Sequence, residues 1–254
     1  MSRYFCAECL KHRHTAAEKL IILMPLCSTV LAAQLTHNYF AIDGYNWWYI
    51  ELFPAMIALV CGMVSNKDRK MQNKAIQVLP VNLGNVWDGK VLYGVCAAGL
   101  SLIVLLVLIL GGGALIKSVL HMTFITEPSV KMQLAAVLVL WISSLWQVPF
   151  CLALEQKAGF LPMVLVHMGT YILAAAAASL KSFYLLFPGA IAARMMCAVL
   201  KVLPNGLPAA EGMMTYSPEL TDMRSVLFGI PAAVFWFLLF WFVGRVWFER
   251  QVDR

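Results

Sequence analysis

Apolar residues gather in six long blocks, at about 20–35, 45–64, 91–111, 132–154, 160–180 and 226–248, with shorter polar stretches between them. A helix needs about 20 apolar residues to cross the hydrocarbon core of a bilayer. The pattern therefore predicts six transmembrane helices. Lys11, Arg13 and Lys19 precede the first block, and Val30-Leu31-Ala32 loosely resembles a signal-peptidase site. Five further spans favour an uncleaved first helix instead. Pro25 predicts a kink in it, tolerated where neighbouring helices cover the freed carbonyl. Span two opens on Tyr45-Asn46-Trp47-Trp48-Tyr49, an aromatic belt of the kind found at a lipid–water boundary.

Three segments do not span. Residues 3–18 predict a helix lying on the inner leaflet, with Phe5/Cys9 and Cys6/Leu10 at i,i+4 and Arg13 interrupting the stripe. Residues 66–90 predict a basic loop. The long outer segment 181–224 has a half, Phe183–Leu203, too apolar for a free loop. Phe187-Pro188-Gly189 and Leu203-Pro204-Asn205-Gly206 bracket a helix of about four turns, too short to cross. It is expected to dip into the outer leaflet or cap the bundle. Gly111-Gly112-Gly113 reads as a helix terminator, and Ala174–Ala178 as a site of close helix packing.

Composition sharpens this. The 254 residues are 61% apolar and 13% charged, against about 45–50% and about 25% in soluble domains. A soluble enzyme, a disordered polymer and a secreted disulfide scaffold are poor fits. Residues 1–254 are expected to form a single transmembrane domain. The net charge is +6, yet the cations lie scattered between apolar blocks, which argues against nucleic-acid binding. Thirteen of the 19 Lys and Arg fall on the side of the termini, so the positive-inside bias puts both termini in the cytoplasm. Seven cysteines form no scaffold spacing, and Cys6-Ala7-Glu8-Cys9 is a lone C-x-x-C, ordinary helix surface in the absence of a second pair.

Chemistry is sparse. No G-x-x-x-x-G-K-[ST] loop occurs, so ATP cannot be held that way, and H-E-x-x-H is absent. No catalytic or metal-binding set is expected. Ser101 on span three and His167 on span five could in principle face each other as a nucleophile and base, but neither sits in a nucleophile elbow. An ionisable group at membrane depth is a functional candidate. His167 is one, against the alternative of a helix-to-helix hydrogen bond. Glu51, about one turn inside span two, must face a cavity, a cation or boundary water, because bare in hydrocarbon it would cost on the order of 2.5 kcal/mol or more. In the loop after span two, Lys67, Asp68, Arg69 and Lys70 precede Lys74-Ala75-Ile76-Gln77-Val78-Leu79-Pro80. Ala75, Val78 and Leu79 share a helical face that Pro80 ends. A short helix with basic flanks suits docking into a partner's groove. Contact of Lys67, Arg69 and Lys70 with anionic lipid is the alternative.

Tyr45-Asn46-Trp47-Trp48-Tyr49, Pro54, Asn66-Lys67-Asp68-Arg69-Lys70, Leu79-Pro80-Val81-Asn82 and Trp87 to Lys90 resemble permease subunits of lantibiotic-immunity ABC transporters, within the six-span exporter-type ABC permeases. Pro188 and Leu203-Pro204-Asn205-Gly206 are similar to that family too. The resemblance implies an all-α fold with an N-terminal interfacial helix, a coupling helix between spans two and three, and an outer re-entrant pair before span six. It implies a separate ATPase subunit in two copies carrying the ATP and Mg, and a second permease in a heterodimer. The implied activity is removal of lantibiotics or similar antimicrobial peptides from the membrane of a Gram-positive cell. A permease for another amphipathic drug or lipid, such as a bacitracin-like compound, is the nearest alternative; an intramembrane enzyme or a non-transporting sensor subunit is more remote. Under this reading Lys67, Asp68, Arg69, Lys70, Lys74, Ile76, Val78 and Leu79 dock the ATPase. Asp43, Trp47, Trp48, Glu51, His167 and Glu211 are candidates for the substrate path, the acidic ones as attractors of cationic peptide.

Overall fold

The computed structural model describes residues 2–71, 81–121, 123–213 and 215–250. Helix α1 (Ser2–His12) ends where His14 takes a left-handed backbone, φ 58°, and α2 (Ala16–Leu35) starts after it. The break corrects the expected continuous helix over 3–18. It lets α1 turn away and pack across the start of a later span. Then come α3 (Phe40–Arg69), α4 (Leu83–Leu120), α5 (Val130–Ala158), α6 (Phe160–Ala178), the short α7 (Pro188–Leu200) and α8 (Arg224–Glu249). Among the described residues, α2, α3, α4, α5, α6 and α8 are long and apolar enough to cross a membrane. The expected all-α, six-span fold is observed.

The spans differ in place. In their most apolar windows α3 and α5 are 67% and 61% buried, whereas α8 is 11% buried. With no water to drive it, packing among α3 and α5 rests on close fit and interhelical hydrogen bonds. Tyr45, Trp48, Tyr49, Phe53 and Trp87 fill that centre. α8 turns Leu227, Phe235, Leu238 and Phe242 outward, a face suited to lipid.

Three local readings need correction. α4 does not stop at Gly111-Gly112-Gly113; it continues to Leu120 and ends at His121 with φ 50°. A Cβ on Gly112 would stand 2.9 Å from the Phe40 ring, so the glycines permit contact with the start of α3 rather than a helix end. At 38 residues α4 is about 57 Å long and overreaches a hydrocarbon core of about 30 Å. The loop expected over 66–90 is shorter, because α3 runs to Arg69 and α4 begins at Leu83, capped by the Asn82 side chain on the Asn85 N–H. The start of span two moves from Tyr45 back to Phe40.

Two spans carry a widened i→i+5 turn. One covers Trp48–Leu52 in α3, the other the five alanines 174–178 in α6. Such turns loosen the backbone ladder, and the Tyr171 hydroxyl donates to the Tyr49 carbonyl at 2.9 Å. α7 is the expected short helix between Pro188 and the 203–206 turn, buried along its whole length from Gly189 to Leu200. Arg194 sits inside, not in a loop. It donates to the Ser179 and Glu219 carbonyls and to Ser225 Oγ, and lies over the Tyr184 ring.

Candidate functional site

The end of the bundle that carries α1 is tied by buried charge. Asp68, in the last turn of α3, accepts from both Lys90 of α4 and Lys11 of α1. Lys90 Nζ also lies 3.3 Å from Glu8, and Lys67 Nζ donates to the Lys11 carbonyl at 3.1 Å. Lys90 is 1% exposed and Glu8 6%. Burial alone would raise the Glu8 carboxyl, but His12, Lys90 and Lys11 around it outweigh that and hold its pKa down to about 2. Burial, and then the charge of Lys90, lower the Lys11 ammonium from its usual value. Each ion would be costly alone; together they neutralise one another.

Neighbouring contacts extend this belt. Arg69 reaches Glu155, which is fully buried at the end of α5, at 3.6 Å, and Gln156 donates to Ser65 Oγ at 2.8 Å. Asp88 of α4 accepts from Trp241 at 2.8 Å and pairs with Arg245 at 3.1 Å, both on α8. Lys157 lies over the Trp247 ring. The two roots of the segment between α3 and α4 are therefore fastened to α1, α5 and α8. A push on that segment cannot move one span alone.

The predicted docking residues divide. Asp68 is buried in the ion cluster and Arg69 is half-buried, while Lys67 and Lys70 are exposed. Lys74, Ile76, Val78 and Leu79 lie outside the described residues. The predicted path residues divide as well. His167 is buried, with Nε2 3.1 Å from Gln147 Oε1 and the rings of Trp146, Phe150 and Tyr171 around it. Ser101 instead donates to the Ala98 carbonyl. The two do not form a nucleophile–base pair. Trp48 is 0% exposed and stacked on Phe53, a core anchor rather than a path-lining ring. Glu51 is exposed on the side of α3, in its widened turn.

At the opposite end, Asp43, Asn46 and Trp47 share a face of α3 and line a cavity of about 470 Å³ with Thr36, Tyr39 and the turn 205–208. Gly206 (φ 83°) brings that turn close: a Cβ there would lie 3.1 Å from Asn46 Nδ2. Asn205 Oδ1 accepts from the Leu207 N–H, and the Leu203 and Leu207 backbones bond at 2.8 Å. Glu211 is exposed in the loop beyond, shortly before Met213, which lines the cavity.

A family model described as ABC-2 family transporter protein matches residues 5–173, which include most of α1, both roots of the α3–α4 segment and Glu155 at the end of α5. The chain belongs to the ABC-2 transporter family. No curated protein and no solved structure matches it. This ABC-2 transporter chain is thus a multi-pass membrane protein and a transport component, and its family implies work with an ABC ATPase. Lys11, Lys90 and Arg245, which count in the sequence only toward the positive-inside bias, are paired in the fold with carboxylates. Their partners are Glu8, Asp68 and Asp88. Glu8 with Lys11 and His12 at i,i+3 and i,i+4 is a signal legible in the sequence; the pairing of Asp68 with Lys90, 22 residues apart, has none.

Proposed function

We propose that this ABC-2 chain is one of two permeases that, driven by a pair of ABC ATPases, expel lantibiotics or similar antimicrobial peptides from the membrane of a Gram-positive bacterium. Both termini, and with them the α1 end, lie in the cytoplasm. The exposed Lys67 and Lys70, with Lys74, Ile76, Val78 and Leu79, dock the ATPase. Closure of the ATPases on ATP then pulls on the roots of that segment. The observation that carries the reading is the buried belt of Glu8, Lys11, Asp68 and Lys90, continued by Arg69–Glu155 and Asp88–Arg245, which ties those roots to three other helices. Sequence resemblance supports the peptide as cargo. So do the carboxylates Asp43, Glu51 and Glu211, which suit a cationic substrate.

One observation favours an amphipathic drug or lipid as cargo. An apolar cleft of about 520 Å³ between α1, α4 and α5 is walled by Phe5, Cys96, Leu100, Ile103, Leu138 and Trp141. Cells carrying the complex separate the two by their tolerance of lantibiotic against bacitracin-like drugs. Replacing Leu79 by Asp should return lantibiotic tolerance to that of cells lacking the complex, with the chain still inserted and ATP still hydrolysed. Full protection by the Leu79→Asp complex would sink the docking assignment.

A further inference from the structure

The three acidic residues proposed as attractors are not equivalent. Glu51 and Glu211 are exposed, whereas Asp43 is 9% exposed and aimed at a walled cavity. A buried carboxylate is stable when it is paired. Thr36 lines the same cavity, its hydroxyl donating to the Ala32 carbonyl, and among the described side chains no Lys or Arg forms an ion pair with Asp43. Beside it, Asn46 Oδ1 is buried with no hydrogen-bond partner among the described residues. The Asp43 carboxylate therefore faces the cavity without a counter-ion, and Asn46 beside it contributes to the wall.

Aromatic side chains of Tyr39 and Trp47 complete the wall. The turn at 205–208 is held by its own hydrogen bonds, and Gly206 brings its backbone against Asn46. The cavity is built in advance of any ligand. A group that supplies several N–H donors and a positive charge, and that lies against an aromatic face, satisfies every feature at once. A hard metal ion does not fit, because it takes about six oxygen ligands and a single carboxylate is present here. A volume of about 470 Å³ holds one long side chain, not a folded peptide.

We infer that this cavity is a binding site for a single primary ammonium or guanidinium group, seated between Asp43, Asn46 and the Trp47 ring. As a cation site it stands on this geometry; as the seat of a substrate's lysine or arginine it rests on the export reading above. The site would select a basic side chain presented at the non-α1 face and leave the rest of the substrate outside.

The test uses the full chain in lipid nanodiscs and ligand-observed NMR with two neutral-backbone probes, Nα-acetyl-lysine methylamide and Nα-acetyl-norleucine methylamide. The lysine probe should bind about tenfold tighter or more, the size expected of one charge-assisted hydrogen-bonded pair. Asp43→Asn should abolish that preference and Asp43→Glu should retain part of it. Trp47→Leu, which leaves the carboxylate in place, should weaken it, so the site remains testable if Asp43→Asn fails to insert. Equal binding of the two probes, or an undiminished preference in Asp43→Asn, would overturn the site. Cells expressing the same variants separate the two readings. Lost peptide tolerance without any lysine preference would refute the site and leave export standing. A lysine preference with unchanged tolerance would uphold the site and remove it from the export path.

Discussion

Both ends of this bundle hold buried carboxylates, and they treat them in opposite ways. At the α1 end Glu8 and Asp68 are each met by lysines from other helices, and Asp88 by Arg245. At the other end Asp43 faces a cavity, and among the described side chains no lysine or arginine pairs with it. The first arrangement makes helices move together, since separating paired ions inside a protein is expensive. The second leaves charge to be completed by something that arrives and departs. A transporter needs both, one where force enters and one where cargo is held.

The sharpest way to break the contrast is Lys90→Met. It removes one cation from two buried carboxylates at once, and loss of one partner of a buried pair costs about 3–5 kcal/mol. The variant should show a large drop in thermal stability in detergent. A matching Asp68→Asn and Glu8→Gln on the same chain should recover a good part of it, because uncharged groups need no counter-ion. If Lys90→Met unfolds at the wild-type temperature, the belt is not what holds this end together.

How much of this could be read from the sequence depends on range. The six spans and the short α7 followed from apolar length alone, because that signal is local, whereas the Tyr45–Tyr49 run, expected as a boundary belt, has Tyr45, Trp48 and Tyr49 buried in the helix core. Gly111–Gly113 misled because a glycine run marks a helix end and a close approach with the same letters; only the Phe40 ring beside Gly112 separates them. Lys90 and Arg194 were legible as charges but not as buried ones. Their partners stand 22 residues away or more in one case and on three different segments in the other. Asp43 was singled out by type, and the cavity that distinguishes it from Glu51 and Glu211 needed the 205–208 turn to be folded against it.

Acid offers a gentler probe of the same end. The Glu8 carboxyl is held at about 2 in the folded chain against an ordinary 4.5. A depressed carboxyl contributes stability that is complete above its unfolded value and is lost as pH falls toward its folded one. The chain should therefore lose up to about 3 kcal/mol between pH 5 and pH 2 through Glu8. Glu8→Gln should flatten that part of the stability–pH curve. An unchanged acid limb in Glu8→Gln would show that other carboxyls carry it.

The smallest effect is expected at the other end, and it is the most discriminating control. Lys117 and Glu127 also form an ion pair, close enough to look as strong as any in the α1 belt. Yet their side chains are 44% and 48% exposed, whereas Lys90 is 1% exposed. Water and salt already solvate the exposed pair, so its worth is about 0–1 kcal/mol, most of it screened at physiological ionic strength. Lys117→Ala should then leave thermal stability almost unchanged, while Lys90→Met in the same host does not. Geometry alone ranks the two lysines together; burial ranks them far apart. Equal losses from the two variants would mean that this end too is braced by its charges, and the division between a force-bearing end and a cargo-holding end would not survive.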